Sequence, residues 1–154
     1  MNRLSIFLVL ALFSAISCTD IAVFESNYDV KKEVWSIDSV AHFYVNVTDT
    51  ISPHNIFVNI RNNTSYPNSN LFLFIYTTSP HGASLRDTLE CILADKRGDW
   101  LGKGFGDLRD NRIPYKRYIR FPEQGVYSIN IQHGMRTNSL QGIASVGVRV
   151  EKAK

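Results

Sequence analysis

Apolar side chains recur at every second position along most of this chain, and that period constrains its fold more than any other feature. Phe43, Val45 and Val47 alternate with His42, Tyr44 and Asn46, and Ile56, Val58 and Ile60 alternate with Phe57, Asn59 and Arg61. Further along, Leu89, Cys91 and Leu93 oppose Thr88, Glu90 and Ile92. Tyr127, Ile129 and Ile131 oppose Ser128, Asn130 and Gln132, and Val146, Val148 and Val150 oppose Ser145, Gly147 and Arg149. Successive side chains of a strand point to opposite faces, so each run reads as a strand with one face to a core and one to water. No long window shows the 3.6-residue apolar period of a helix. The stretch Leu71 to Tyr76 is apolar throughout and fits a central strand covered on both faces. Turn formers separate the runs, among them Ser52-Pro53, the segment from Asn62 to Asn68, and Phe121-Pro122-Glu123-Gln124-Gly125 leading into the Tyr127 strand. The expectation is an all-β fold, an antiparallel β-sandwich of about eight strands, jelly-roll or immunoglobulin-like. Strand order is not readable from these runs.

A chain of 154 residues, 44% hydrophobic and 20% charged, is long enough to bury a core without disulfides and short for two domains. Its first 17 residues read as a secretory signal, with Arg3 as the positive start and Leu4 to Ile16 as a short apolar run. That run is too short to span a bilayer core, for which roughly 20 residues are needed. Ala15-Ile16-Ser17-Cys18 resembles a bacterial lipobox, in which the Cys becomes the first mature residue and is acylated, palmitate being a typical chain. Cys18 is therefore the expected lipidation site and the membrane lipid its partner, with residues 18–30 as lipidated N-terminus and tether and 31–154 as the sandwich domain. Val23, Phe24 and Tyr28 could equally make a first strand. Thr19-Asp20-Ile21-Ala22 lacks an acidic cluster after the Cys, which favours a periplasm-facing anchor in the cell envelope. The remaining cysteine, Cys91, sits on an apolar face and reads as a small buried side chain.

Signals for catalysis are absent. His42, His54, His81 and His133 fall on separate runs with no i, i+4 partner, so no zinc motif exists, and no G-x-S-x-G elbow is present. Asp95, Asp99, Asp107 and Asp110 do not have the spacing of a calcium loop, and basic residues lie among them. The segment Gly98-Asp99-Trp100-Leu101-Gly102-Lys103-Gly104-Phe105-Gly106-Asp107 fails as a phosphate loop, because Gly104 follows Lys103 where Ser or Thr is required. It reads instead as a tight hairpin or bulged β segment whose glycines allow positive φ or close backbone approach. No enzyme, metal or cofactor is expected.

Charge is unevenly distributed. Residues 19–95 carry 4 basic and 9 acidic groups, whereas residues 96–120 carry 8 basic and 3 acidic. A basic segment with Trp100, Tyr115 and Tyr118 has the composition of a nucleic-acid surface, but an exported, membrane-tethered protein seldom meets nucleic acid, and none is expected as a partner. The plain alternative is a solvated face whose charges alternate around strands. Trp100, Lys103, Phe105, Arg109, Arg112, Lys116 and Arg117 are the candidate partner-binding residues, because aromatic and Arg groups dominate interface energies.

The ordered blocks of the chain resemble a known family, the gliding-motility lipoproteins called GldH, from bacteroidete-type bacteria. The blocks are Asn55-Ile56-Phe57-Val58-Asn59-Ile60-Arg61-Asn62, the run from Tyr66 to Phe74, Asp87-Thr88-Leu89-Glu90, the run from Trp100 to Asp107, Tyr115-Lys116, Phe121-Pro122, Gly125-Val126-Tyr127, Met135-Arg136 and the run from Gly142 to Gly147. W-L-G-K-G-x-G-D is the most specific of them. His133-Gly134 before Met135 departs from the pattern, which expects a small residue such as Ala beside the Met. The resemblance implies a non-enzymatic envelope lipoprotein needed for gliding, acting with other motility lipoproteins and the type IX secretion machinery. A carbohydrate- or peptidoglycan-binding module is the alternative, since sandwiches with exposed aromatics commonly serve as sugar platforms. Asp38-Ser39-Val40, Asp49-Thr50-Ile51 and Asp87-Thr88-Leu89 fit the Asp-Ser/Thr-apolar pattern of periplasmic O-glycosylation in such bacteria, which makes Ser39, Thr50 and Thr88 candidate sites.

Overall fold

The computed structural model describes residues 22–154. Its elements are β1 (Ala22–Asp29), a single 3-10 turn (Lys31–Glu33), β2 (Val34–Ser36), β3 (Ala41–Val47), β4 (His54–Asn63) and β5 (Asn70–Thr78). They continue with β6 (Ser84–Ile92), β7 (Leu108–Ile119), β8 (Gly125–His133), β9 (Ser139–Gln141) and β10 (Ile143–Lys152). One sheet has the order β1-β10-β4-β7 and the other β3-β8-β5-β6, with β2 and β9 forming a short separate pair. All the pairings are antiparallel. The first long strand pairs with the last, and the next inward strand, β3, pairs with β8 in the facing sheet. That nesting is the jelly roll, not the immunoglobulin order.

The alternation seen in the sequence sets the core. Ile56, Val58 and Ile60 of β4 and Val146, Val148 and Val150 of β10 are buried against Phe43 and Val45 of β3, Leu71, Leu73 and Ile75 of β5, and Ile129 and Ile131 of β8. Slipping any of these strands by one residue would send its apolar set to water, so the pattern also fixes register. Residues 22–29 form a strand: Phe24 and Tyr28 pack on the core, and β1 pairs along β10. Among the described residues, 22–29 are thus part of the first sheet. The signal segment, the Cys18 lipidation site and the residues up to 21 lie outside the described residues.

Leu71 to Tyr76 is central in its sheet, as its composition suggests, but only its odd side chains reach the core. Phe72 is 36% exposed, and the outward faces of Phe74 and Tyr76 are covered by a single side chain, Arg86, whose guanidinium carbon lies 4.5 Å and 5.6 Å from the two ring centroids. The second cover is a cation on aromatic faces, not a second layer of structure. Gly134 explains itself here: a Cβ at that position would stand 3.1 Å from the Phe74 ring. Even Ala, the residue expected beside Met135, would crowd the ring.

His133 is fully buried at the end of β8, edge-on to Trp35 at 5.5 Å between centroids, and neither ring nitrogen has a hydrogen-bond partner among the described residues. Burial pushes its pKa below the ordinary 6.5. The unfolded chain takes up a proton near pH 6.5 while the fold delays that uptake to lower pH, so stability present above pH 6.5 is lost as pH falls from there through the lower folded-state value. The urea midpoint should drop between about pH 7 and pH 5, and a His133→Leu variant should flatten that slope. Parallel slopes in the two proteins would contradict the assignment.

Candidate functional site

The chain between β6 and β7 holds the glycine-rich block, and two stacked turns give it a defined shape. Leu93 and Ala94 both donate their backbone N–H to the Ser69 carbonyl, at 2.8 and 3.0 Å. Asp95 then folds the first turn: its carboxylate accepts the backbone N–H of Arg97 at 2.8 Å and of Asp99 at 3.0 Å. Those bonds favour the charged form and lower the Asp95 pKa. The chain returns so that Trp100 bridges Ala94 and Leu101 N–H reaches the Leu93 carbonyl at 2.9 Å. Trp100 packs on the core, so it anchors the loop.

The second turn is closed by a reciprocal pair of backbone bonds between Lys103 and Asp110, at 3.0 and 2.7 Å. Gly104 lies so near the returning chain that a Cβ would come within 2.1 Å of the Leu108 carbonyl oxygen. Arg109 donates through Nη1 to the carbonyls of Gly106 and Leu108, at 2.7 and 2.8 Å, and so braces the turn from inside. At its tip stands Phe105, 99% exposed.

The basic residues of the segment divide into two groups. Lys116 pairs with Asp87 of β6 at 2.8 Å, and Tyr115 Oη donates to the same carboxylate at 2.5 Å. Those contacts lower the Asp87 pKa, and burial with the neighbouring carboxylate raises that of the Tyr115 phenol. Arg112 lies 3.9 Å from Glu25 of β1. Lys103 and Arg117, by contrast, are exposed and have no ion pair among the described residues. The acidic first half and the basic second half are therefore complementary within one molecule. Long-range pairing in the sheets brings Glu25 and Asp87 to Arg112 and Lys116, which leaves Lys103, Phe105 and Arg117 facing outward.

Beside the loop runs a groove of about 810 Å³ along the outer face of the first sheet, bordered by Glu25, Asn59, Arg61, Leu101, Lys103 and Asp110. Several of its polar groups pair with one another. Arg61 donates to Asp110 at 2.6 and 3.2 Å, which raises the Arg61 pKa, and Asn59 donates to Glu25 at 2.9 Å. Arg149, only 7% exposed, pairs with Glu25 and with Glu151.

On the opposite sheet, a smaller cleft of about 540 Å³ is lined by Phe72, Phe74, Thr88, Met135 and Arg136. Aromatic surface of this kind motivates the sugar-platform reading, but Arg86 already occupies the faces of Phe74 and Tyr76. Tyr44 stands apart on β3, 65% exposed.

The four histidines are scattered. His42 bonds Asn130 at 2.8 Å on the outer face, His54 lies against Phe121, His81 meets Glu123 in the β5–β6 turn, and His133 is in the core. Among the described residues no group of three His, Cys, Asp or Glu could hold a metal ion. Cys91 is fully buried, and burial pushes its thiol pKa up to about 12, which suits a structural side chain. Of the three candidate glycosylation sites, Thr88 is exposed in mid-strand. Ser39 and Thr50 are half-buried in turns, the latter beside Asp49, whose carboxylate accepts the Ile51 and Ser52 N–H groups.

A family model described as GldH lipoprotein matches residues 22–150, from the first strand of the jelly roll to the last. A gliding motility lipoprotein GldH homolog of Christiangramia forsetii is 40% identical over 77% of this chain and 78% of its own length. The gliding motility lipoprotein GldH of Flavobacterium johnsoniae is 35% identical over 94% of both chains.

Proposed function

The chain belongs to the GldH lipoprotein family, and from that premise we propose that it is a non-enzymatic, lipid-anchored part of the gliding and type IX secretion apparatus. It is a membrane-anchored protein of the cell envelope that takes part in gliding motility. In the proposed arrangement an acylated Cys18 holds the sandwich at a periplasm-facing membrane surface, and the loop between β6 and β7 meets a neighbouring envelope protein. Confinement to one membrane raises the effective concentration of both partners, so a modest interface suffices.

The observation that carries this reading is Phe105, an aromatic ring almost wholly in water at the tip of a loop pinned by Trp100, Arg109 and the Lys103–Asp110 pair. Sinking such a ring into a partner's pocket contributes roughly 1.5–3 kcal/mol by burial. The loop is already ordered, so little entropy opposes it. Lys103 beside it, without an ion pair among the described residues, adds a charge for steering.

Arg112 and Lys116 are poor probes of this surface, because reversing either to Glu sets a carboxylate against Glu25 or Asp87 within the fold. Phe105 is almost wholly exposed, so Phe105→Glu disturbs no packing among the described residues. It should leave the protein level unchanged, reduce recovery of crosslinked envelope neighbours about tenfold or more, and impair gliding in a gliding cell, the lost burial being worth a factor of that order. Undiminished recovery and motility would remove the loop from the contact.

A further inference from the structure

The outer edge of the second sheet is open. β6 runs nine residues, Ser84–Ile92, with no proline and no register shift against β5, and no strand flanks its other side among the described residues. At the opposite end of the other sheet, the edge strand β7 carries Pro114, two register irregularities and the Lys103–Asp110 bridge. Such devices blunt an edge against pairing; β6 lacks all three, and its one inward charge, Asp87, is paired with Lys116.

The hydrogen-bond phase of that edge can be read. Ser79 N–H bonds the Ala83 carbonyl at 2.8 Å and Leu93 N–H bonds the Ser69 carbonyl at 2.8 Å, so the odd residues of β6 face β5 in the alternating ladder. Gly134 N–H bonds the Phe72 carbonyl at 2.6 Å, which places the even residues of β5 toward β8, as that phase requires. Ser84, Arg86, Thr88, Glu90 and Ile92 therefore turn their backbone N–H and C=O groups outward, where none has a backbone partner among the described residues.

We propose that β6 is a self-association edge, on which a second copy of this chain adds its own β6 antiparallel about a two-fold axis at Thr88. That register sets every outward residue opposite an outward residue, so both backbones are satisfied. It also places Arg86 of each copy opposite Glu90 of the other, two ion pairs in one isologous contact. A register centred on Arg86 or on Glu90 would lose both. Arg86 and Glu90 stand on the outer face, each with only a light internal partner: Arg86 rests on Phe74 and Tyr76, and Glu90 accepts from Asn70 at 2.7 Å. The two four-stranded sheets would then continue as one sheet of eight.

Residues facing each other across such a pair have Cα atoms about 5.5 Å apart, within disulfide range. The test uses the full-length chain in its own envelope. Under mild oxidation Thr88→Cys should give a disulfide dimer on a non-reducing gel, whereas Asn46→Cys, on the far edge strand β3, should not. In the Thr88→Cys background, Arg86→Glu or Glu90→Arg should cut the dimer about tenfold, since each sets like charges opposite one another. The double exchange Arg86→Glu with Glu90→Arg should restore it. No Thr88 dimer, an equal dimer at position 46, indifference to the single reversals, or failure of the double exchange to restore the band would each overturn the proposal. So would an intact mass showing a glycan on Thr88 in the native protein, which would hold two bulky groups against each other at the axis.

Discussion

Truncating Trp35 to Ala should cost about 3–5 kcal/mol of folding stability, the range for removing a fully buried large aromatic. Trp35 has no exposed surface, and its indole N–H donates to the Ser39 carbonyl at 2.8 Å. Two effects add in the variant: a cavity opens beside His133 and the other core residues, and a carbonyl in the turn after β2 loses its donor. A domain of this kind is stable by about 5–15 kcal/mol, so the loss takes a fifth or more of it. Trp35→Phe keeps a ring but no donor and should fall between the two. Urea unfolding of the folded domain measures both; a loss under about 1 kcal/mol for the Ala variant would mean that β2 and β9 are a loose appendage.

The second large effect is expected at Gly104, and it is local. A methyl group there would meet the Leu108 carbonyl oxygen at 2.1 Å and the Arg109 Cα at 3.3 Å, both backbone atoms that cannot rotate away. Gly104→Ala must therefore open the turn between Lys103 and Asp110, at a cost of roughly 1–3 kcal/mol. The sandwich beneath should survive, because its core strands do not depend on that turn. What should go is the placement of Phe105, so that Gly104→Ala loses partner recovery as fully as Phe105→Glu while the core still unfolds cooperatively, its midpoint lowered by no more than that local cost. Amide hydrogen exchange would separate these, with fast exchange confined to Lys103 and Asp110 in the expected case. Unchanged protection of those two amides would contradict the account of the loop.

Strands whose buried face is a row of Val, Ile, Leu and Phe were legible, because alternation with polar residues is the signature of one face in and one face out. β7 was not. Its residues Arg109, Arg112, Lys116 and Arg117 mask the inward Ile113 and Tyr115, and Pro114 argues against a strand until the strand is known to be at an edge. The jelly-roll order was not legible either, since β1 with β10 and β3 with β8 are pairings between distant segments, which local composition does not encode. The same distance hid the site's electrostatics. The basic segment looked like one continuous surface until the sheets brought Glu25 to Arg112 and Asp87 to Lys116. The glycine-rich hairpin itself was legible, because Gly at close spacing around a Lys and an aromatic has few other backbone readings.

The central claim is that the chain acts through the outward face of that hairpin, with Phe105 as its anchor. It is tested most directly by placing a photo-crosslinking side chain at position 105 of the full-length protein in the living envelope, with position 46 on β3 as the control. The account predicts a crosslinked envelope protein of the gliding or secretion apparatus at 105 and none at 46. A position 105 that yields no protein adduct, or the same adducts as position 46, would contradict it.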